Sequence, residues 1–370
     1  MSAGHVRLTR LSARDFRNLE RLDLEFPDSG LAIIGDNGQG KTNLLEAIYY
    51  LQVLRSARGA RDQDLVRFGA KAFHIAATIQ STGPAQIGAG FELSSKKKKV
   101  SIDGAVAGRL SEAFGSLPSV MFSPRDIQLV AGGPAERRRY LDLVLALSSR
   151  RYLVALQNYR GALARRNAAL RDAARTGDDA AVAVWEPALA EHGAALICER
   201  AAWVRDNAES FSELVSSIGE DSESRMSYQS VLAREADPRG AMEEALARQR
   251  KHDTRRGITH SGPHRDDLAL TLDGKDLRVF GSAGQQRTAA IALRILEGST
   301  LRQSRGESPV LLLDDPFAEL DLRRSARILG LLAGAGLGQT VLVVPRAGDI
   351  PPELTSLERR SIRNGVVGAA

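Results

Sequence analysis

Gly35-Asp36-Asn37-Gly38-Gln39-Gly40-Lys41-Thr42 satisfies G-x-x-x-x-G-K-[ST] at every fixed position. The apolar run Leu31-Ala32-Ile33-Ile34 precedes it, and a helix-forming stretch from Lys41 through Leu51 follows. A strand before and a helix after are the context a phosphate-binding loop requires. Glycines let successive backbone N–H groups curl around phosphate oxygens, and the helix N-terminus adds free donors and a favourable dipole. Lys41 is placed to reach the β- and γ-phosphates, and the Thr42 hydroxyl to ligate Mg²⁺. Gly35 through Thr42 are the candidate nucleotide-binding residues.

Such a site needs an acid at the end of a buried strand. Val310-Leu311-Leu312-Leu313 ends in Asp314-Asp315 and supplies one. Asp314 is the expected metal carboxylate, and Asp315 is placed to orient or deprotonate an attacking water. With Lys41 they form the catalytic set; the competing reading is a pair of aspartates that caps a following helix.

Between these motifs the chain changes character twice. Residues 72–122 read as a β-rich meander with Asp103-Gly104 as a hairpin turn. From about 135 to 250 the pattern is helical. Leu156, Leu163 and Leu170 recur every seven residues, as do Leu189, Leu196 and Trp203 beyond Thr176-Gly177-Asp178-Asp179. Two such stripes around one turn predict an antiparallel helical hairpin. Strand signals return after Arg256: Leu268–Leu272 and Leu277–Phe280 flank Asp273-Gly274, and Val341–Val344 reads as a last core strand. The expected fold is an α/β head built from both ends of the chain with an inserted α-helical lobe. The predicted divisions are 1–128, 129–254 and 255–370.

Composition narrows the class. The 370 residues are 43% hydrophobic and 26% charged, which is ordinary globular usage. A lone cysteine, Cys198, excludes an internal disulfide framework or a multi-cysteine zinc site. The first residues lack the apolar core of a signal peptide. Glycines 330, 334, 336 and 338 break the charge-poor stretch from Ile328 to Val344 into a helix, a turn and a strand. No membrane association and a cytoplasmic location are expected.

Lys and Arg number 51 against 45 Asp and Glu, a net +6. From Glu136 to Arg175 ten arginines face three acids, so this segment alone carries +7. A surface of that density attracts polyanions, nucleic acid first, and Arg165, Arg166 and Arg171 are the candidate DNA contacts. A solvated helix face is the alternative. The Lys96-Lys97-Lys98-Lys99 run reads as a charged hairpin tip. His264 reads as a hydrogen-bonded turn residue, Trp185 and Trp203 as core, and Cys198 as a buried thiol.

Phe280-Gly281-Ser282-Ala283-Gly284-Gln285-Gln286-Arg287 resembles the signature loop of ABC-type ATPases, and Glu319-Leu320-Asp321 the loop after their acidic strand. That resemblance implies two chains sandwiching two ATP molecules, with Ser282, Gly284 and Gln285 facing the γ-phosphate held by the other copy. Further segments are similar to the RecF family of DNA replication and repair proteins, which is SMC-like. These are Asp15-Phe16-Arg17-Asn18-Leu19, Arg55-Ser56-Ala57-Arg58, Phe122-Ser123-Pro124-Arg125-Asp126 and Gly262-Pro263-His264-Arg265-Asp266-Asp267-Leu268.

The resemblance covers about residues 7–325. It implies a weak Mg²⁺-dependent ATPase that dimerises with ATP on gapped DNA or on duplex with a single-strand junction. It also implies cooperation with RecO and RecR proteins to load recombinase. Two departures stand out. Asp315 replaces the usual catalytic glutamate, and Val344-Pro345-Arg346 carries no switch histidine; the role of the superfamily's Q-loop is open between Asp126 and Gln128. The same motifs also occur in transporter nucleotide-binding subunits, although the 240 positions from Thr42 to Ser282 exceed the usual spacing there. A non-hydrolysing ATP-bound scaffold is the other reading.

Overall fold

The computed structural model describes residues 4–83, 85–316, 322–336 and 338–370. Glu319-Leu320-Asp321 lies outside the described residues. The chain forms two compact units, Met1–Asp126 with Leu293–Ala370, and Ile127–Ala292. Residues 255–292, grouped by the sequence reading with the C-terminal part, belong to the second unit. The cause is backbone pairing: strand Ser224–Gln229 runs antiparallel to Asp267–Leu272 in register across six residue pairs.

The first unit is built on two six-stranded sheets. In one, Ser119–Phe122, Val310–Asp314, Thr340–Val344 and Gly30–Ile34 lie side by side in parallel. Their near-continuous apolar runs suit strands covered on both faces. A C-terminal hairpin, Glu358–Arg363 and Val366–Ala369, completes this sheet beside Gly30–Ile34. The other sheet is antiparallel and alternates: Leu8, Leu11, Ala13 and Phe16 are buried while Arg10 and Arg14 are exposed.

Helix Lys41–Val53 packs on strands of both sheets and buries most of its circumference. A helix buried nearly all round fits only such a place, and its buried Glu46 and Gln52 are hydrogen-bonded there. Phe16, Tyr50 and Phe73 meet edge to face there, with ring centroids 5.3 to 6.1 Å apart. Lys98 is not part of a free hairpin tip. Its ammonium lies 5.2 Å from the Tyr50 ring centre and 2.8 Å from Asp62, while Lys97 and Lys99 alternate outward. The buried Gln339 amide spans the two sheets, donating to Leu8 and Pro27 carbonyls and accepting from the Leu8 N–H at 2.7 Å.

The second unit is dominated by helices Pro134–Ser148, Arg150–Thr176, Glu186–Ile218 and Pro238–Arg256. The 27- and 33-residue helices pack against each other as the expected hairpin, with Leu156, Leu170, Leu189, Leu196 and Trp203 buried between or beneath them. Leu277–Phe280 is a helical turn and not the expected strand. The Asp276 carboxylate accepts from the Arg278 N–H at 2.7 Å, and that cap closes a turn where the chain could have extended. Cys198 is exposed and not a core thiol, because it points off the helix face opposite Leu196 and Ile197. Trp185 is half-buried beneath the Arg165 guanidinium, 5.2 Å from the ring centre.

Candidate nucleotide-binding site

The loop Gly35–Gly40 leaves the central parallel strand and turns into helix Lys41–Val53 with Gly38 at φ 81° and Gly40 at φ 110°. These left-handed values favour glycine. At Gly40 a side chain is excluded for a second reason: a Cβ would stand 2.7 Å from the Asn18 side-chain oxygen. The N–H groups of Asn37, Gly38, Gly40, Lys41 and Thr42 have no backbone or side-chain acceptor among the described residues. They are the free donors that an anion at a helix N-terminus uses.

The Lys41 ammonium is nearly buried and donates to the carbonyls of Gly35 and Asp36. Burial lowers its pKa, against the pull of Asp314, Asp315 and Asp36. Thr42 Oγ1 donates to Asp314 Oδ1 at 3.0 Å, so folding joins two residues 272 positions apart. Burial pushes the Asp314 carboxyl up; the Thr42 bond opposes that and neighbouring Asp315 adds to it. Asp315 is also raised, by burial and then by Asp349. Its backbone takes a left-handed φ of 47°, and its N–H donates to Val343 O at 3.0 Å. Two hard oxygen donors, the Thr42 hydroxyl and the Asp314 carboxyl, meet here beside a second acid, Asp315. That chemistry fits a small divalent cation such as Mg²⁺.

Residues given no role by the sequence reading, Glu46, Arg17, Ser56 and Arg58, brace the loop's helix. The fully buried Glu46 carboxylate accepts from Arg17 at 3.1 Å, from Ser56 at 2.5 Å, and from Arg58. Burial raises its pKa, but the two guanidiniums and the hydroxyl outweigh that and hold it below the usual carboxylate range. Arg58 also donates to Asn43, whose amide donates to Asn18 beneath Gly40. Asp126 is committed elsewhere: it pairs with Arg294 at 2.7 Å and accepts from the Ser123 N–H. Gln128 is exposed.

Ser282 and Gln285 lie in the second unit and cap one helix reciprocally. The Ser282 N–H donates to the Gln285 side chain at 2.9 Å, and the Gln285 N–H to the Ser282 hydroxyl at 3.2 Å. This is a capping box, S-x-x-Q, at the start of helix Ala283–Arg305. Ser282 and Ala283 are exposed, and Gly284 follows in the first turn.

The three candidate arm arginines part company. Arg165 and Arg171 are exposed, but Arg166 is 0% exposed. It donates to Asp253 and Thr259 at 2.8 Å and to Glu186 at 3.1 Å. A fully enclosed guanidinium has no face to offer a phosphate, so Arg166 is withdrawn from the DNA set and is structural. His264 is a turn residue as expected: it bonds Tyr159 OH at 2.6 Å and Thr259 O at 3.0 Å. Burial lowers its pKa to about 4, which leaves it neutral near pH 7.

A family model described as the RecF/RecN/SMC N terminal domain matches residues 7–346. The DNA replication and repair protein RecF of Symbiobacterium thermophilum is 38% identical over 330 residues, 87% of each chain. RecF of Lachnoclostridium phytofermentans is 34% identical over 331 residues, 88% of this chain and 89% of the relative. The chain belongs to the RecF family of DNA replication and repair proteins.

The solved structure of the recombination mediator protein RecF-ATP in the RecFOR pathway superposes with a TM-score of 0.89 at 29% identity, covering 100% of this chain and 99% of that one. An Smc head domain from Pyrococcus furiosus shares the fold, with a TM-score of 0.57 at 17% identity over 98% of this chain and 95% of that one. The fold is therefore that of an ABC-type ATPase head, and membership of this family sets the transporter reading aside. Among the described residues, no helix is long and apolar enough to cross a membrane.

Proposed function

We propose that the chain is an ATP-gated DNA-binding protein with slow Mg²⁺-dependent ATPase activity. The bond from Thr42 to Asp314 carries this reading, because it joins the phosphate loop to the acid that such a loop needs. The loop Gly35, Asp36, Asn37, Gly38, Gln39 and Gly40 wraps the phosphates, with the free N–H groups of Asn37, Gly38, Gly40, Lys41 and Thr42 as donors, and the Lys41 side chain supplies the cation. Thr42 and Asp314 hold Mg²⁺, which neutralises phosphate charge when bound. Asp315 orients the attacking water; its side chain is shorter than the usual glutamate, which suits a switch more than a motor.

Two copies close over two nucleotides, each offering the exposed turn of Ser282, Gly284 and Gln285 to the other's γ-phosphate. The closed homodimer binds gapped DNA or duplex with a single-strand junction. It works in the cytoplasm with RecO- and RecR-type partners, in keeping with the RecFOR pathway named for the solved relative. Arg165 and Arg171 are the arm residues available to phosphates. The open face of the antiparallel sheet adds a cross-strand row of Arg21, Arg14, His74 and Lys99, with Gly90 between the last two. Arg14 and Arg21 stand directly opposite each other; like charges so placed destabilise a sheet, so a polyanion that covers them is favoured.

Sedimentation velocity tests the trans arrangement. Wild type is expected to dimerise with ATP and remain monomeric with ADP. Ser282→Arg is expected to bind ATP as a monomer and fail to dimerise. A Ser282→Arg chain that dimerises normally, or one that loses monomer affinity for ATP, contradicts this division of labour.

A further inference from the structure

We infer that the C-terminal hairpin fixes the orientation of the Gln39–Gly40 peptide and so sets the phosphate affinity of the loop. This rests on the nucleotide reading above and adds a control element to the same site. The Asn364-Gly365 turn of the hairpin lies against the loop. The Gly365 N–H donates to the Gln39 carbonyl at 2.8 Å, and the Asn364 N–H to the Gln39 side-chain oxygen at 2.7 Å. One loop residue is therefore held twice by the last strands of the chain.

The consequence follows from peptide geometry. In a trans peptide the carbonyl and the next N–H lie in one plane and point in opposite directions within it. Anchoring the Gln39 carbonyl on the hairpin turns the Gly40 N–H away from it, to the side where that donor has no partner among the described residues. The neighbouring peptide is pinned as well, since the Leu44 N–H donates to the Gly40 carbonyl at 3.0 Å. Without the hairpin, the peptide before a glycine at φ 110° has several orientations open to it. A flipped peptide would present a carbonyl to the phosphates where the pinned one presents a donor.

The hairpin is built for close approach. Asn364 and Gly365 sit at φ 49° and 79°, the left-handed pair of a tight two-residue turn. A Cβ on Gly365 would stand 2.2 Å from the Asn18 carbonyl oxygen, and a Cβ on Gly35 would stand 2.5 Å from that of Ile362. Hairpin and loop thus touch at both ends of the loop, with Asn18 wedged beside Gly40. Gln39, Asn364 and Gly365 act as positioning residues, with no contact to the reacting atoms required of them.

The test removes one donor and little else. A full-length chain assembled by ligation, with glycolic acid in place of Gly365, carries an ester where the Gly365 N–H stood. Titration calorimetry is expected to give about tenfold weaker ADP and ATP binding than wild type. Amide exchange at Gly40 is expected to slow when ADP binds wild type, and not in the ester chain. Gln39→Met, which loses only the side-chain acceptor, is expected to weaken binding about threefold. An ester chain that melts earlier yet binds ADP like wild type would make the contact merely structural and overturn the inference alone. Wild type that binds neither nucleotide would overturn the nucleotide reading and this inference with it.

Discussion

Arg166→Ala is expected to destabilise the helical unit by about 3–5 kcal/mol, because it strands Asp253 as a buried charge without its guanidinium and leaves Glu186 to Arg250 alone. Both the arginine and Asp253 are 0% exposed, so solvent cannot take over. For a unit of this size such a loss lowers Tm by about 10 °C. The neighbouring exposed arginines behave oppositely. Arg165→Glu with Arg171→Glu is expected to leave Tm within about 2 °C while flattening the salt dependence of DNA binding by about two units of slope. Thermal unfolding and a salt titration separate the two. An Arg166→Ala chain with wild-type Tm would contradict the buried network.

Lys41→Met is expected to weaken ATP binding about 100-fold and to abolish ATP-driven dimerisation. The ammonium is enclosed and already donates to two loop carbonyls, so its methionine replacement leaves those acceptors and the phosphates without a cation. A charge-assisted bond of this kind contributes about 1.5–3 kcal/mol. Asp314, Asp315 and Asp36 surround the position, and with Lys41 gone their repulsion of phosphate is uncompensated. Calorimetry with ATP checks the affinity. Wild-type affinity in Lys41→Met would mean that the loop does not hold a triphosphate.

Local signals revealed the loop and its acid. Eight consecutive residues fix the phosphate loop, a leucine strand points to Asp314, and heptad leucines on both sides of Gly177 give the helical hairpin. What escaped depends on partners far along the chain. Arg166 looks like any arm arginine until Glu186 and Asp253 fold around it. Lys98 belongs to a lysine run by sequence and to Tyr50 and Asp62 by packing. Strand Ser224–Gln229 is polar at alternate positions and owes its form to pairing with Asp267–Leu272. Leu277–Phe280 has strand-like residues, but the Asp276 cap decides for a turn of helix. The C-terminal hairpin did carry a signal, Asn364-Gly365, flanked by the mostly polar Glu358–Arg363, which hides a strand that pairs with the loop's own.

ATP gating of DNA binding is tested most directly by fluorescence anisotropy of a labelled gapped duplex, titrated with the wild-type chain at about 0.15 M salt. Binding with ATP that falls to the nucleotide-free level with ADP is the predicted result. Equal binding in ATP, in ADP and without nucleotide would contradict it.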